Sequence, residues 1–310
     1  MNHSQLFSEY RNLLFSIAYN MLGVVEDAED MLQDTYLKWS ELNPEEITHP
    51  KAFLVKMITN LSINQLNSTR KKREDYVGLW LPEPLMKEKV VDSFKSIDLY
   101  HSLSIGMMVL LEKLTPPERA VFLLKEVFSY DYAEIADIIS KSEDNCRKIF
   151  SRAKKNLGGQ EKRFQLDMKV HENMLHQFLN AVNKGNMEGL IGLLREDIQL
   201  LADNGGKAFE IGGKSLIDKP VKGQNNVSEF IKDVTEKMSD SVPDLTQQII
   251  YVNGLPSVVS CSDNKPICLM SLEIEDEKIA NIYMHTNLEK FWNAKLDSLE
   301  EYLNKIQTKK

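Results

Sequence analysis

A chain of 310 residues has room for two or three domains, and 42% hydrophobic with 27% charged residues is an ordinary soluble balance that can bury a core. A net charge of −8 excludes a surface coated for nonspecific nucleic-acid binding, so any DNA contact must come from local basic patches. Cys146, Cys261 and Cys268 are odd in number and lack C-x-x-C spacing, which suggests neither a disulfide framework nor a zinc site, and neither a leader-like N-terminus nor an apolar run near the ~20 residues of a membrane span is read in the sequence. A reduced, cytoplasmic protein is expected.

From Leu6, apolar residues at Tyr10, Leu13, Leu14, Ile17, Ala18 and Met21 keep helical spacing until Gly23. The next helix, Val24 to Trp39, carries Glu26, Asp27, Glu29, Asp30 and Asp34 with no basic neighbour before Lys38. Its acidic first turn suits the helix dipole, and its face fits either solvent or a docked partner. Pro44 and Pro50 bracket a loop. Lys51 to Ser68 is helical again, with Phe53, Leu54, Met57, Ile58, Leu61 and Leu66 apolar and Lys56, Asn60, Asn64 and Asn67 polar, and it runs into Arg70, Lys71, Lys72 and Arg73. A basic cluster beside amide side chains that pair with base edges fits a nucleic-acid contact; it is also a common helix end. From Asp75 to about Gly106 periodicity is weak, and Pro82 and Pro84 forbid a continuous helix, so this is a linker with Trp80 as a hydrophobic anchor.

Thr115 to Leu157 punctuates itself into three helices. Thr115, Pro116 and Glu118 form a capping box, a second helix follows Asp131, and a third starts at Ser142 after a break too short for anything but a tight turn. The third helix turns Cys146, Ile149, Phe150, Ala153 and Leu157 inward and leaves Arg147, Lys148, Arg152, Lys154 and Lys155 largely outward. A short cationic helix after a tight turn suits the major groove, although a helical hairpin with a basic solvated face has the same pattern.

Beyond Gly158 and Gly159, helices are expected over Lys169 to Asn183, from Asn186, and over Val227 to Met238. A short strand is expected from Ile198 to Ala202, then strands near Gln247–Val252, Ser257–Ser260, Ile267–Ile274 and Lys278–His285. Asn253-Gly254, Asp263-Asn264 and Glu275-Asp276 are read as their turns, and a last helix begins near Asn287. Helices on one face of a mostly antiparallel sheet make an α+β domain.

An acidic helix, a helix ending in basic residues, a linker and a helix-turn-helix, in that order, resemble sigma-70 family factors of the extracytoplasmic-function type. The matching stretches run from Ala28 to Trp39, Pro50 to Leu54 and Tyr132 to Ala136. Trp80-Leu81-Pro82-Glu83-Pro84 resembles the linker motif of the subgroup with a C-terminal SnoaL-like extension. Residues 203 to 207 resemble its Asp-Gly-Gly-Gly-Lys motif with Asn204 for the first glycine, and Asn287 to Phe291 resemble its Asn-Pro-Asp-Lys-Leu segment with three positions changed.

This resemblance implies a multidomain chain: a region 2 domain over 1–74, a linker over 75–106, a region 4 helix-turn-helix domain over 107–159, and an α+β SnoaL-like cone-shaped regulatory domain over 165–310. It also implies promoter-specific initiation with RNA polymerase core, regulated in cis by the extension, with no cofactor and no metal. Asp27, Asp30, Gln33, Asp34, Leu37 and Trp39 would dock on polymerase, whose clamp coiled coil and flap are the expected contacts. Lys56, Asn60, Asn64 and Arg70 to Arg73 would read and melt the −10 element. Gln65 and Asn67 stand where relatives commonly place arginines. Ser142, Asp144, Asn145, Arg147, Lys148, Arg152, Lys154 and Lys155 would engage the −35 element as a duplex, the first residues nearest the bases and the last nearest phosphates.

Some SnoaL-like relatives are enzymes using an Asp/His pair, for which His176, His285 and Asp203 are the candidates here; a structural role for these residues is preferred, and no catalytic residue is assigned. His171 and His176 do not share a helical face, so no metal site is expected. The preferred role of the extension is mechanical. Trp80, Leu81, Pro82, Glu83 and Pro84 pack against it near Asp203, Gly205, Gly206 and Lys207, with Glu83 facing Lys207 and the tryptophan supplying most of the anchoring. Whether its pocket takes a small ligand stays open. The rival reading is a one-component helix-turn-helix regulator, which binds DNA without polymerase.

Overall fold

The computed structural model describes residues 3–43, 46–74, 76, 78–85, 103–158, 167–205, 210–211, 214–215, 219–242, 244–263, 265–287 and 290, with residues 70–74, 210–211 and 214–215 described as backbone. Two compact units emerge, one of Met1–Asp75, Val90–Leu103 and Met107–Phe164, the other of Tyr76–Lys89, Ser104–Gly106 and Gln165–Lys310. The linker motif therefore belongs with the C-terminal unit.

In the first unit, α1 (His3–Leu22), α2 (Val25–Ser40) and α3 (Pro50–Glu74) pack together. Leu14, Ile17, Ala18 and Met21 of α1 meet Ala28, Leu32 and Trp39 of α2 and Leu54 and Ile58 of α3 in the core. Helix α4 (Ile105–Leu111), which belongs to this unit from Met107 onward, is almost wholly apolar and buried, and it leads to α5 (Pro116–Phe122), which continues as a π-helical turn through Val127. The Glu118 carboxylate accepts from both the amide and the hydroxyl of Thr115, closing the expected capping box. Arg119, fully buried, joins α5 to α1 by donating from Nε to the Asn20 carbonyl at 3.1 Å and pairing with Glu112. Helices α6 (Tyr132–Ile139) and α7 (Glu143–Leu157) complete the unit.

The C-terminal unit is a six-stranded sheet carrying helices on one face. Helices α8 (Met168–Asn183), α9 (Met187–Leu193) and α10 (Gln224–Ser241) accompany strands β1 (Leu194–Asp203), β2 (Glu210–Ile211), β3 (Lys214–Ser215), β4 (Val221–Lys222), β5 (Thr246–Val252), β6 (Leu255–Ser262), β7 (Lys265–Glu275) and β8 (Lys278–His285). The sheet order is β4-β1-β8-β7-β6-β5, antiparallel except for the β1–β8 pair, while β2 and β3 form a separate ribbon. Alternation assigns the two faces. Met270 and Leu272, paired with Met284 and Ile282, join Leu175, Phe178, Leu190, Val227 and Ile231 of the helices in the core. Leu269, Ser271 and Glu273, paired with His285, Tyr283 and Asn281, lie on the opposite face.

The first strand is twice the expected length and contains a register shift between Leu194 and Gln199, where alternation fails and Arg195 and Asp197 pair with each other in its exposed part. The last hairpin turns one residue later than expected. Glu275 stays in the strand opposite Lys278, and Asp276 and Glu277 take the left-handed conformation that a two-residue turn requires. The expected helix after Asn287 lies outside the described residues except for Lys290.

Candidate promoter-reading surfaces and linker site

Helix α2 presents Asp30, Gln33, Asp34 and Leu37 along one exposed stripe, with Leu37 52% exposed although apolar. Tyr36 is exposed beside it; its apolar ring did not stand out in the sequence against the acidic pattern. Asp27 is half-buried and accepts from Gln65 Nε2 at 3.3 Å. Trp39 does not belong to this surface. It is fully buried, donating its indole N–H to the His3 carbonyl at 3.1 Å and resting against Phe53, because the helical stripe of Ala28, Leu32, Thr35 and Trp39 is the core-facing one.

On α3, Lys56, Asn60 and Asn64 share a stripe at intervals of four residues, Lys56 and Asn64 exposed and Asn60 half-buried. Asn60 is engaged within the unit: its side-chain amide donates at 2.8 Å to the carbonyl of Ile138 in α6 as well as to that of Lys56. A cleft of about 510 Å³ opens beside this contact, lined by His49, Ala52 and Lys56 from the region around α3 and by Tyr130, Glu134 and Asp137 from around α6. Burial pushes the Tyr130 hydroxyl up to about 12, so it stays protonated there. Arg70 to Arg73 are helical in backbone, and their side chains lie outside what is described.

The helix-turn-helix is built as its punctuation implies. Asp131 and Glu134 cap α6 reciprocally, a box that the sequence reading had not singled out. Ser140 takes the left-handed conformation at φ 54° to end α6, and Ser142 Oγ accepts from the Asn145 amide at 3.3 Å to start α7. Cys146, Ile149, Ala153 and Leu157 are buried, whereas Asp144, Asn145, Arg147, Lys148, Arg152 and Lys155 are exposed. Arg152 lies 3.8 Å from Glu118. Lys154 departs from the outward set: it is half-buried over the Phe150 ring and pairs with Glu126 at 3.2 Å.

In the C-terminal unit the linker is gripped mainly by its backbone. Asp203, the last residue of β1, has a wholly buried side chain. Its Oδ2 accepts from the Leu81 amide at 2.8 Å and from Lys290 Nζ at 2.5 Å, and its Oδ1 accepts from the Tyr76 hydroxyl at 2.5 Å and from the Gly205 amide at 3.2 Å. Lys290 Nζ also donates to the Leu81 carbonyl at 2.7 Å and lies over the rings of Tyr76 and Trp80, 4.9 and 4.6 Å from their centroids. His285 Nε2 donates to the Pro82 carbonyl at 2.8 Å, and Asn253 and Leu85 exchange two hydrogen bonds at 2.9 and 3.0 Å. Asn287 Nδ2 donates to the Tyr76 hydroxyl at 3.0 Å. Gly205, at φ 65°, is needed here, since a Cβ would stand 2.6 Å from the Asn287 amide nitrogen.

Leu81, Pro82, Glu83 and Pro84 are buried while Trp80 is only half-buried, so the tryptophan is one wall of the Lys290 site rather than the main anchor. A backbone-directed grip carries no side-chain signature in the linker, which is why Lys290, His285, Asn253 and Tyr76 were not read as linker contacts. Gly206 and Lys207, with the expected Glu83 to Lys207 pair, lie outside the described residues. Of the Asp/His candidates, Asp203 and His285 both hold the linker, and burial pushes the His285 imidazole down to about 4, leaving it neutral. His176 is exposed on α8. Among the described residues no cluster of potential metal ligands occurs, and no helix is long and apolar enough to cross a membrane.

Comparison with known proteins matches residues 6–72 to sigma-70 region 2 and residues 106–157 to sigma-70 region 4. The extracytoplasmic-function RNA polymerase sigma factor SigJ of Mycobacterium tuberculosis is 28% identical over 300 residues, covering 94% of this chain and 93% of its own. The probable factor SigI of the same organism is 24% identical over 283 residues, covering 91% and 92%. The crystal structure of SigJ superposes with a TM-score of 0.73 at 26% identity, over 92% of this chain and 96% of that one. Two helical sigma-70 regions followed by a helix-and-sheet domain, an arrangement shared along nearly its whole length with an extracytoplasmic-function factor, make this chain a sigma-70 family RNA polymerase sigma factor of the extracytoplasmic-function type.

Proposed function

We propose that the C-terminal domain regulates this sigma factor in cis by holding the segment that joins its two DNA-reading regions. The observation that carries this reading is the Asp203 site. One buried carboxylate gathers the linker amide of Leu81, the Tyr76 hydroxyl and the Lys290 ammonium, which itself returns a bond to the linker carbonyl. Hydrogen bonds to charged groups contribute about 1.5–3 kcal/mol each, enough in combination to fix the path of a short segment.

In this reading the exposed stripe of α2 docks on the clamp coiled coil of the polymerase core, and the α4–α7 module meets the flap. The stripe of Lys56, Asn60 and Asn64, continued by Arg70 to Arg73, engages the −10 element. Melting takes a base out of the stack, a cost of a few kcal/mol offset by a pocket and backbone contacts. The outer face of α7 reads the −35 element with Asp144, Asn145, Arg147 and Lys148, and Arg152 and Lys155 contact phosphate.

The Asn60 to Ile138 bond supports a further element of the reading, that the described conformation is a closed one. Duplex DNA rises about 3.4 Å per base pair, so elements 25 pairs apart stand roughly 85 Å apart. Helix α3, 25 residues long, spans only about 37 Å. The α3–α6 contact must therefore open when both elements are read.

Run-off transcription from a randomised promoter library, with bacterial core polymerase, tests the reading on the full chain beside a version ending near residue 159. Core-dependent initiation that differs between the two is expected. Identical behaviour of both would remove the regulatory role, and specific DNA binding without any initiation would return the one-component regulator.

A further inference from the structure

We propose that Tyr132, on the helix preceding the DNA-facing one, aims Arg147 and thereby determines sequence preference in the −35 element. The inference rests on the reading of α7 above and adds a positioning residue that does not touch DNA in it. The Arg147 guanidinium carbon lies 4.4 Å from the Tyr132 ring centroid, and its Nη2 lies 3.3 Å from Glu143 Oε2 one turn earlier on α7. The guanidinium is thus held by a ring on one helix and a carboxylate on its own.

The ring is itself fixed. Tyr132 is the first residue of α6, directly after the Asp131 and Glu134 capping box that sets the start of that helix. It meets Phe150 edge-on, with centroids 6.0 Å apart and planes at 75°, and Phe150 stacks on the buried Phe122 at 6.1 Å. Lys125 Nζ, tied to the Tyr130 carbonyl at 3.1 Å, lies 5.0 Å from the same ring. The aromatic series therefore connects the module core to one cation on the reading face.

The two holds on Arg147 differ in what they occupy. Glu143 accepts from Nη2 alone, and an exposed i,i+4 pair of this kind gives way at little cost when a better acceptor arrives. The ring holds the cation from above its own face, 4.4 Å from the centroid, and takes none of the guanidinium N–H groups, which stay available to the O6 and N7 acceptors of guanine. The cation–ring contact can then persist during base reading, so a long and otherwise swinging side chain enters the groove already ordered.

The test uses the full chain with core polymerase and a promoter library randomised in the upstream element. Four proteins are compared with wild type: Arg147→Ala, Tyr132→Leu, Tyr132→Phe, and the chain with pentafluorophenylalanine at 132. The fluorinated ring keeps the shape but reverses the sign of the face. Arg147→Ala is expected to flatten the preference at one or two positions. Tyr132→Leu and the fluorinated ring are expected to lower it at those same positions by about two- to fivefold, the worth of an exposed cation–π contact. Tyr132→Phe is expected to match wild type, and the salt dependence of binding to stay unchanged in all three position-132 proteins. If the fluorinated ring behaves like Phe, or Tyr132→Phe behaves like Leu, ring electrostatics do not aim Arg147 and the inference is overturned. If Arg147→Ala itself leaves the preference intact, the reading of α7 fails first and takes the inference with it.

Discussion

Lys290 Nζ stands 2.5 Å from Asp203 Oδ2 with the carboxylate side chain wholly buried and the lysine side chain 11% exposed, and both bind the same linker residue, Leu81. Removing one member of a buried pair strands the other, at a typical cost of about 3–5 kcal/mol. Asp203→Ala is therefore expected to release residues 76–85, read as fast limited proteolysis in that segment. Trp80→Ala leaves the ion pair and backbone bonds in place and should accelerate cleavage far less. Equal acceleration by the two variants would return the tryptophan to the role of main anchor.

Acid should loosen the same site through His285. Its imidazole, buried and donating to the Pro82 carbonyl, is pushed from about 6.5 down to about 4, so the folded chain keeps it neutral where the unfolded chain protonates it. A group whose folded value lies lower in this way contributes stability above the unfolded value and loses it as pH falls toward the folded one. Between pH 7 and pH 5 that loss is about 2 kcal/mol. Burial lowers His171 as well, which adds in the same direction. Denaturant unfolding at the two pH values should show the drop, and His285→Asn should remove most of it; an unchanged slope in that variant would assign the acid sensitivity elsewhere.

Much of this architecture was legible because local chemistry and tertiary role agree in it. Thr115, Asp131 and Ser142 punctuate the helix-turn-helix through bonds within three residues, and Asn253-Gly254 turns a hairpin by its own backbone preference. Trp39 was assigned to the docking face with the rest of its helix, as the resemblance implied, yet its own position falls on the stripe that meets α1 and α3. The linker grip was the least legible part. Asp203 and Lys290 are far apart in sequence, and what they bind in the linker is largely the backbone of Leu81, which any residue there would supply.

Gly106 offers a case where two effects oppose. Alanine in a helix normally gains about 0.5–1 kcal/mol over glycine. Here a Cβ would come within 2.8 Å of the Glu273 carboxyl carbon and 3.0 Å of the Tyr283 hydroxyl, and Glu273 is buried and held by Tyr283 at 2.7 Å and Asn281 at 2.6 Å. Overpacking costs about 1–3 kcal/mol, so Gly106→Ala should lower the melting temperature. Shortening the acid in Gly106→Ala/Glu273→Asp should recover part of the loss beyond additivity, whereas simple additivity would show that the two positions do not meet.

The closed arrangement of α3 and α6 predicts a cross-link that initiation forbids. Ala52 and Asp137 line one cleft from its two sides, next to the Asn60 to Ile138 bond, and both are exposed. The native cysteines, Cys146, Cys261 and Cys268, are all buried, and burial raises the latter two thiols to about 11 and about 12, away from the reactive thiolate. With Ala52→Cys and Asp137→Cys in the full chain, a short bis-maleimide should bridge the pair in the free protein and do so more slowly once core polymerase and promoter are present. Before bridging, the double variant should initiate like wild type; after bridging, initiation should fall at least tenfold, because the two readers can no longer reach elements about 85 Å apart. Bridging that proceeds equally in the promoter complex and leaves initiation intact would mean that the α3–α6 contact survives promoter reading and restrains nothing.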